Sequence, residues 1–472
     1  MRYVSQRQLR ICLFQDAIRM KVSSAVSSLR TKLGGETGIV ASTVIAQNLL
    51  RLLSSVIMTR LLTAEAFGVI GIITSVVVTV GLLSDIGINA FIMRHKGAED
   101  RDFINELWTL RLIRSIFLTV VVILASHPVA NLLDKPELQS AIAFSALTFA
   151  IDGLDSLGFI LALRGRQQKK ISQLDLSTHI INMALMIVLA ITLKSFWAIL
   201  IGNLVGQIVR LCLTYYMFPN VRHQWRFSRV RMQELWKFSK FITGSTILTL
   251  IISQADKVVL AKVFPLQTFG LYMVAAGLAM VPAGFAGQYI DRILLPRYSE
   301  IARNNPQNLH HEYYAQRIKM HLLYAAAIGL LAGCAPLTIE ILYDPRYQDA
   351  AFYFQILLLV SFFSFGNIAA NYVMIVTGNS FFTLASNIVR LIFLCVVGFF
   401  AFRSYGPIGL IATVATVELV AQIYAWIMLR KHGLLSFQWE LAIIGVGLAA
   451  FAMGTGMNIL LLAMARMADL AH

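Results

Sequence analysis

Long apolar runs separated by short polar segments make up most of the sequence from residue 39 onward. Each run is close to the roughly 20 apolar residues that a helix needs to cross a bilayer. The pattern therefore predicts twelve transmembrane helices, at residues 39–58, 67–93, 112–132, 141–163, 176–193, 196–218, 241–263, 269–290, 321–343, 352–376, 381–402 and 406–429. A thirteenth run, at 439–465, contains Gly454 and Gly456 and predicts either one tilted helix or a broken one.

The basic residues alternate between the two ends of these predicted helices. Lys and Arg concentrate in every second connecting segment, such as "RGRQQKK" (164–170) and "RHQWRFSRVRMQELWKFSK" (222–240), and are sparse in the segments between. Because short basic loops stay in the cytoplasm, the N-terminus is predicted to be cytoplasmic. The net charge of +16 thus follows the membrane topology, and no nucleic-acid partner is predicted.

The overall composition supports this interpretation. Hydrophobic residues make up 58% of the chain and charged residues 14%, against about 45–50% and about 25% in soluble domains. The four cysteines lack the paired spacing of a zinc site, so no metal and no cofactor are expected. The sequence therefore predicts an all-α polytopic membrane protein.

The same pattern divides the chain into five regions. Residues 39–218 form an N-terminal six-helix bundle (the N-half), and residues 241–430 form a C-terminal six-helix bundle (the C-half). Residues 1–38 are predicted to be a basic cytoplasmic segment, either amphipathic or disordered. Residues 431–472 hold the additional C-terminal transmembrane segment of one or two helices.

The segment 219–240 between the two bundles is both basic and aromatic. We expect it to lie as a helix on the inner membrane surface, because aromatic side chains favour the headgroup region and basic ones favour anionic lipid. Trp225, Trp236 and Phe238 are the predicted aromatic anchors.

Two short motifs recur in corresponding predicted outer loops. Phe67-Gly68 and Phe269-Gly270 are one pair, and "DKPELQSA" (134–141) and "DPRYQDA" (344–350) share the pattern P-x-x-Q-x-A. Such recurrence indicates an internal duplication. Because each unit has six helices, the two bundles are predicted to be parallel repeats related by a pseudo-twofold axis along the membrane normal. The Phe-Gly motifs are predicted to mark equivalent hinges.

Signatures of catalysis are missing from the sequence. It holds no phosphate-binding loop, no H-E-x-x-H zinc motif and no G-x-S-x-G nucleophile elbow. The predicted outer loops are too short for the acceptor-binding region of a membrane glycosyltransferase or polymerase. An enzyme is therefore not predicted.

The stretch "RLLTAEAFGVIGIITSVVVTVGLLSDIGINAFIMR" (60–94) resembles the opening helices of Wzx-type polysaccharide-unit flippases of the multidrug/oligosaccharidyl-lipid/polysaccharide exporter superfamily. It matches their R-x-L-x-x-x-x-[FY]-G loop, followed by a helix that ends near a D-x-G segment and a basic residue, here Asp85, Gly87 and Arg94. The resemblance covers most of the chain and implies the V-shaped exporter fold.

The resemblance also implies a function. A chain of this family is expected to flip an undecaprenyl-pyrophosphate-linked oligosaccharide across the bacterial inner membrane by alternating access, for O-antigen, capsule or exopolysaccharide export. The alternatives are a cation-coupled multidrug antiporter of the same superfamily and, less favoured, a glycosyltransferase or polymerase. Membrane lipids, and polymerase and chain-length proteins, are the expected partners, and the chain is expected to be a monomer.

Polar side chains inside the apolar runs are the predicted substrate site. A charged side chain inside a membrane costs free energy, so its presence there indicates a function by default. A guanidinium can hold a pyrophosphate through two hydrogen bonds, so arginines are the first candidates for the substrate anion. Pairing with an acid is the competing interpretation for each of them. The candidate residues are Arg51, Arg210 and Arg390, with the neutral donors Gln47, Asn48, Asn203 and Asn371.

Three acids are the candidates for coupling transport to a proton or sodium gradient. Glu418 lies in the middle of predicted helix twelve, while Asp152 and Asp155 are predicted to share one face of helix four. A desolvated carboxylate can exchange a proton at accessible pH. The same three residues would serve equally well as structural partners of the arginines.

Overall fold

The computed structural model describes residues 36–470, apart from positions 96, 98, 99, 166, 220, 222 and 380. The described residues form helices joined by short turns and include no β-strand. Most of the predicted N-terminal segment 1–38 lies outside the described residues.

The described residues of the first part of the chain form nine successive helices. They are α1 (Glu36–Leu61), α2 (Ala64–Leu83), α3 (Ile88–Arg94), α4 (Arg101–Leu132), α5 (Gln139–Ser145), α6 (Leu147–Leu154), α7 (Gly158–Arg164), α8 (Gln168–Leu193) and α9 (Trp197–Met217). A short 3₁₀ turn, Pro136–Leu138, precedes α5.

The described residues of the second part form eight helices. They are α10 (Arg229–Val263), α11 (Leu266–Tyr289), α12 (Leu295–Asn304), α13 (Leu309–Gly333), α14 (Ala335–Leu342), α15 (Ala350–Val376), α16 (Phe381–Lys431) and α17 (Phe437–Leu470). The 3₁₀ turns Pro306–Asn308 and Pro345–Tyr347 precede α13 and α15, and a π-helical turn, Ile290–Leu294, joins α11 to α12.

Within the described part of the chain, nine helices are long and apolar enough to cross a membrane, or up to eleven if each of two bent pairs is one span. Helix α16 counts once in this tally but contains predicted helices eleven and twelve. They meet at Gly406, whose φ of 62° and ψ of −149° are not helical, and Pro407 follows. All thirteen predicted runs therefore fall on helical segments.

Three predicted helices are interrupted. Predicted helix nine is divided between α13 and α14, and its chain bends by 77° between Gly333 and Ala335. Predicted helix two ends at Leu83, and Gly87, with a left-handed φ of 65°, starts the separate helix α3. Predicted helix four is divided between α5, α6 and α7, and its chain bends by 56° at the break between Leu154 and Gly158. A hydropathy pattern measures apolar length and does not detect such breaks.

The linker does not form a separate surface helix. Residues 223–228 are non-helical, and α10 then runs without interruption from Arg229 to Val263 through the predicted boundary at residue 240. Trp225 and Trp236 are 63% and 70% exposed. Phe238 instead packs against Phe91, with ring centroids 5.4 Å apart.

The Phe-Gly motifs lie where α2 of the N-half crosses α11 of the C-half. A methyl group added at Gly68 would overlap the carbonyl of Leu266, and one added at Gly270 would overlap the carbonyl of Ala64. The two contacts are reciprocal, because Leu266 corresponds to Ala64 in the repeat register. The motifs therefore form the contact across the pseudo-twofold axis, where only glycine lets the backbones approach this closely.

The C-terminal helix α17 is a single helix that continues through Gly454 and Gly456. It packs closely on α13, because Gly329 lies against the backbone of Gly447 and Gly333 against that of Phe451. An ion pair between the fully buried Arg317 and Glu440 joins the same two helices.

Candidate functional site

The C-half contains a cavity of about 320 Å³ between α10, α15 and the two parts of α16. Arg390 and Glu418 face each other in its wall, with Nε–Oε1 and Nη2–Oε2 distances of 2.9 Å. Arg390 also donates to Ser386 Oγ at 2.7 Å, and Asn367 donates to Glu418 Oε2 at 2.5 Å. Two candidates from the sequence, one cation and one acid, are therefore partners of each other.

The N-half contains a second cavity, of about 260 Å³, between α2, α5, α6, α8 and α9. Arg210 lies in its wall, 3.6 Å from Asp175, and its guanidinium is 5.1 Å from the centre of the Phe159 ring. Gln47 from α1 hydrogen-bonds to the same Asp175. Three helices thus converge on this carboxylate, and Arg210 is held by one long contact, in contrast to the double contact at Arg390.

Arg51 lies outside both cavities, on the surface of α1. Its side chain is exposed, and within the described residues no ion pair or hydrogen bond of its guanidinium is found. One helical turn away on the same face, Ser55 Oγ is 3.3 Å from the hydroxyl of Tyr343 in the C-half. Arg51 therefore lies on the face of α1 that looks toward the other half.

The remaining amide candidates differ in their surroundings. Asn203 lines the N-half cavity and lies 3.5 Å from the amide nitrogen of Asn182. Asn371 lines the C-half cavity and accepts a hydrogen bond from Thr383 at 2.5 Å. Asn48 donates to the Val44 carbonyl of its own helix, which is a local structural role.

The predicted pairing of Asp152 and Asp155 on one helical face is wrong. Helix α6 ends at Leu154, and Asp155 has extended backbone angles and accepts a hydrogen bond from the Ser156 amide at 3.0 Å. Asp152 is 55% exposed and forms an ion pair with Arg111 at 2.8 Å. The break in the chain therefore places the Asp155 carboxylate on a backbone amide and leaves Asp152 in an ion pair.

Sequence reasoning missed Asp175, the partner of Arg210. Predicted helix five begins at residue 176 and so leaves Asp175 outside the apolar run, whereas α8 begins about two turns earlier at Gln168. It also missed Arg114, which donates to the Ser84 carbonyl at 2.7 Å and so caps the end of α2.

The P-x-x-Q-x-A loops close one end of the molecule, which the topology predicts to be the outer end. Lys135 of the N-half donates to the carbonyl of Ala261, near the end of α10, at 2.8 Å. Tyr347 of the C-half donates to the carbonyl of Leu62, just after α1, at 3.0 Å. Each loop therefore caps the first helix of the other half.

Charged groups add to this closure. Asp134 lies 3.7 Å from Lys262, and Arg346 donates to the carbonyl of Arg60 at 3.3 Å. Burial lowers the pKa of Lys135, whereas hydrogen bonds from Arg346 lower the pKa of Asp344. We call these reciprocal contacts of Lys135, Tyr347, Asp134 and Arg346 the outer latch.

Solved structures of transporters share this fold. The lipid II flippase MurJ in an inward closed conformation superposes with a TM-score of 0.72 at 12% sequence identity, covering 89% of this chain and 92% of that one. An inward-facing multidrug transporter of the MATE family superposes with a TM-score of 0.60 at 16% identity, covering 85% and 95%. The chain therefore has the V-shaped exporter fold of two six-helix bundles, in a multi-pass membrane protein.

Similar proteins and a family profile then indicate the family within this class of membrane protein. The chain is 24% identical over 294 residues to the lipopolysaccharide biosynthesis protein WzxC of Escherichia coli. It is 20% identical over 280 residues to the succinoglycan biosynthesis transport protein ExoT of Rhizobium meliloti. These alignments cover 60% and 59% of this chain, and 57% and 56% of the relatives.

The profile described as "Polysaccharide biosynthesis protein" matches residues 57–352, more than half of the chain. The chain belongs to this family of polysaccharide biosynthesis proteins.

Proposed function

We propose that this protein is a flippase that moves a lipid-linked oligosaccharide across the bacterial inner membrane by alternating access. The substrate would be an undecaprenyl-pyrophosphate-linked repeat unit for O-antigen, capsule or exopolysaccharide export, with the N-terminus in the cytoplasm. The observation that carries the proposal is one polar, arginine-bearing cavity in each half, below an outer end that is closed.

Arg51 and Arg210 are the proposed contacts for the pyrophosphate. The Arg51 guanidinium is exposed toward the other half, and Arg210 has a single long contact with Asp175. A guanidinium that is exposed, or that is held by a single long contact, can turn two N–H donors toward a phosphate at a low cost in free energy. Arg390 is less available, because Glu418 occupies its donors through two contacts.

Glu418 is the proposed coupling site. Protonating its carboxylate would remove the charge that holds Arg390 and so release the guanidinium toward the cavity. A proton gradient would then control the charge of the C-half cavity. Flipping in proteoliposomes under an imposed pH or sodium gradient tests this step, and a rate that responds to neither would exclude coupling at Glu418.

Deletion of the gene followed by lipid extraction tests the function itself. We expect an undecaprenyl-linked oligosaccharide to accumulate and surface polysaccharide to be lost, both restored by the full-length chain. Unchanged lipids together with increased drug sensitivity would instead identify the multidrug antiporter of the same superfamily.

A further inference from the structure

Each half of the molecule joins its fifth and sixth predicted helices by an arginine–carboxylate pair. In the N-half the carboxylate of Asp175 is on α8 and Arg210 is on α9. In the C-half Arg390 is on the first part of α16 and the carboxylate of Glu418 is on the second part. The helices correspond in the repeat, but the positive and negative charges have exchanged places between them.

The N-half pair is the looser of the two. Arg210 Nη1 lies 3.6 Å from Asp175 Oδ1, and the two side chains are 36% and 25% exposed. Arg390 instead contacts both oxygens of Glu418 at 2.9 Å. An ion pair that is partly exposed to water and has one long contact contributes little to stability. A second anion can therefore replace Asp175 beside Arg210 at a low cost in free energy.

Arg210 is also positioned by a contact that does not depend on the carboxylate. Its guanidinium lies 5.1 Å from the centre of the Phe159 ring, within the range of a cation–π interaction. Arg210 is at the same time part of the wall of the N-half cavity. The guanidinium is therefore held against Phe159 and open to a ligand in the cavity when Asp175 moves away.

Asp175 has a second partner, on α1. Gln47 hydrogen-bonds to its carboxylate, so the carboxylate keeps a donor when it leaves Arg210. Gln47 is four residues before Arg51 and so lies one turn from it on the same face of α1. Asp175 therefore contacts both of the helices that carry the arginines proposed for the pyrophosphate.

The Asp175–Arg210 pair lies toward the end of the N-half that the topology predicts to be cytoplasmic. Helix α8 begins at Gln168, about two turns before Asp175, and α9 ends at Met217, about two turns after Arg210. A pyrophosphate that enters from the inner leaflet meets this pair near the start of its path.

We propose that Asp175 is the internal counter-anion of Arg210, which the pyrophosphate displaces on loading and which displaces the pyrophosphate on release. The inference rests on the proposed function and makes Asp175 a positioning residue, because it acts through Arg210 and does not touch the substrate. Two anions beside one guanidinium repel each other, so the carboxylate and the pyrophosphate bind there in turn. Gln47 retains the carboxylate while the pyrophosphate is bound.

Binding of undecaprenyl pyrophosphate to the purified full-length chain in nanodiscs tests this role. We expect Asp175→Asn to tighten binding about tenfold, because it removes the competing charge and keeps the size of the side chain. Asp175→Glu keeps the charge and should bind nearly as the wild type does. Undecaprenol, which has the same tail and no phosphate, should bind equally to all three proteins, and the unfolding midpoint shows whether each variant is folded.

Arg210→Gln shows whether Asp175 acts through the guanidinium. In that background Asp175→Asn should not tighten binding, because no guanidinium is left for the two anions to share. Asp102→Asn is the matched control, since Asp102 also pairs with an arginine, Arg226, and does not line the N-half cavity. It should leave the affinity at the wild-type value. Unchanged or weaker binding by Asp175→Asn, or the same tightening without Arg210, would overturn the proposal.

Flipping in liposomes tests the release step. We expect Asp175→Asn to reach half of its maximal rate at a lower lipid concentration and to have a lower maximal rate, because nothing displaces the bound pyrophosphate. A maximal rate equal to that of the wild type would overturn the role of Asp175 in release.

The proposed function can fail separately. If the wild-type protein flips a pyrophosphate-linked saccharide while Asp175→Asn binds undecaprenyl pyrophosphate as the wild type does, flipping stands and this role falls. If Asp175→Asn tightens binding through Arg210 but the wild type flips no pyrophosphate-linked lipid, the counter-anion stands and the flippase function falls.

Discussion

Two nitrogen–oxygen distances of 2.9 Å join Arg390 to Glu418, and the pair is mostly buried, with side-chain exposures of 14% and 16%. Neither residue can be changed alone without leaving the other charge in a poorly solvated place. The pair is therefore a structural unit as well as a candidate coupling site.

We expect Arg390→Gln and Glu418→Gln each to lower the free energy of unfolding by about 1–3 kcal/mol, the usual worth of hydrogen bonds to charged groups. The double variant should lose less than the sum of the two, because no unpaired charge remains. Thermal unfolding in detergent measures this, and strictly additive losses would show that the two side chains do not act as a pair.

For Arg51 we expect a loss of activity without a loss of stability. Its exposed guanidinium supports no other part of the described structure. Arg51→Gln should leave the unfolding midpoint nearly unchanged and reduce the flipping rate at least tenfold. Arg51→Lys should recover part of the rate, since it keeps the charge but loses the planar pair of donors. Wild-type flipping by Arg51→Gln would remove Arg51 from the substrate path.

His223, in the linker, gives a pH-dependent prediction. Its Nε2 accepts from the Leu157 amide at 3.2 Å, its ring stacks on Trp108, and burial together with nearby Arg111 lowers its pKa to about 4. The unfolded chain therefore binds this proton first, and stability should fall as the pH drops from about 6.5 toward 4.

His223→Gln should flatten the fall of the unfolding midpoint over this range, because the Gln oxygen can accept the same hydrogen bond without titrating. His432→Gln is the control, since His432 is exposed. Identical pH profiles of wild type and His223→Gln would contradict the assignment.

The ionisable residues also show what a sequence can and cannot indicate. Arg51, Arg210 and Arg390 are visible because a charge in an apolar run is conspicuous. Glu418, the partner of Arg390, is visible for the same reason, but the partner of Arg210 is not, because Asp175 lies 35 positions before Arg210 and this pairing depends on how α8 packs on α9. Whether a charged side chain is free or paired depends on how the helices pack.

Among the helices, the crossing of α2 and α11 depends on glycine at two equivalent positions. The added methyl group at Gly68 or Gly270 meets a backbone carbonyl of the other helix, which cannot move aside as a side chain would. We expect Gly68→Ala and Gly270→Ala each to lower the unfolding midpoint by several degrees, because the two halves must separate locally.

Gly277→Ala is the matched control on the same helix α11, since nothing lies within 4 Å of an added methyl group there. It should be neutral or slightly stabilising, because alanine favours a helix more than glycine does. Equal effects at all three positions would mean that the close crossing is not what the Phe-Gly motif preserves.

The helical elements were largely predictable, and their breaks were not. Apolar length alone locates the thirteen runs, and the repeated motifs indicate the two halves. The breaks at Asp155 and Gly87 and the length of α10 depend on local capping and on contacts with α4, which hydropathy does not contain. The Phe-Gly motifs were found from the sequence, but their contact required the fold.

In the molecule as a whole, the outer latch joins the two halves at the end opposite the basic loops. Its contacts are reciprocal, since each half caps the first helix of the other, and they involve few side chains. Alternating access requires these contacts to break and reform in every cycle. A cross-link between the two halves at the outer latch should therefore stop the opening of this end.

A reversible cross-link across the latch tests the central claim most directly. Asp134→Cys and Lys262→Cys, in a chain whose native cysteines are replaced by serine, would be joined by a flexible dithiol-reactive linker in proteoliposomes that contain an undecaprenyl-pyrophosphate oligosaccharide. We predict that flipping stops in the linked protein and returns when the linker is reduced. Flipping at the same rate in the linked and unlinked protein, or none in either, would contradict a flippase that works by opening this end.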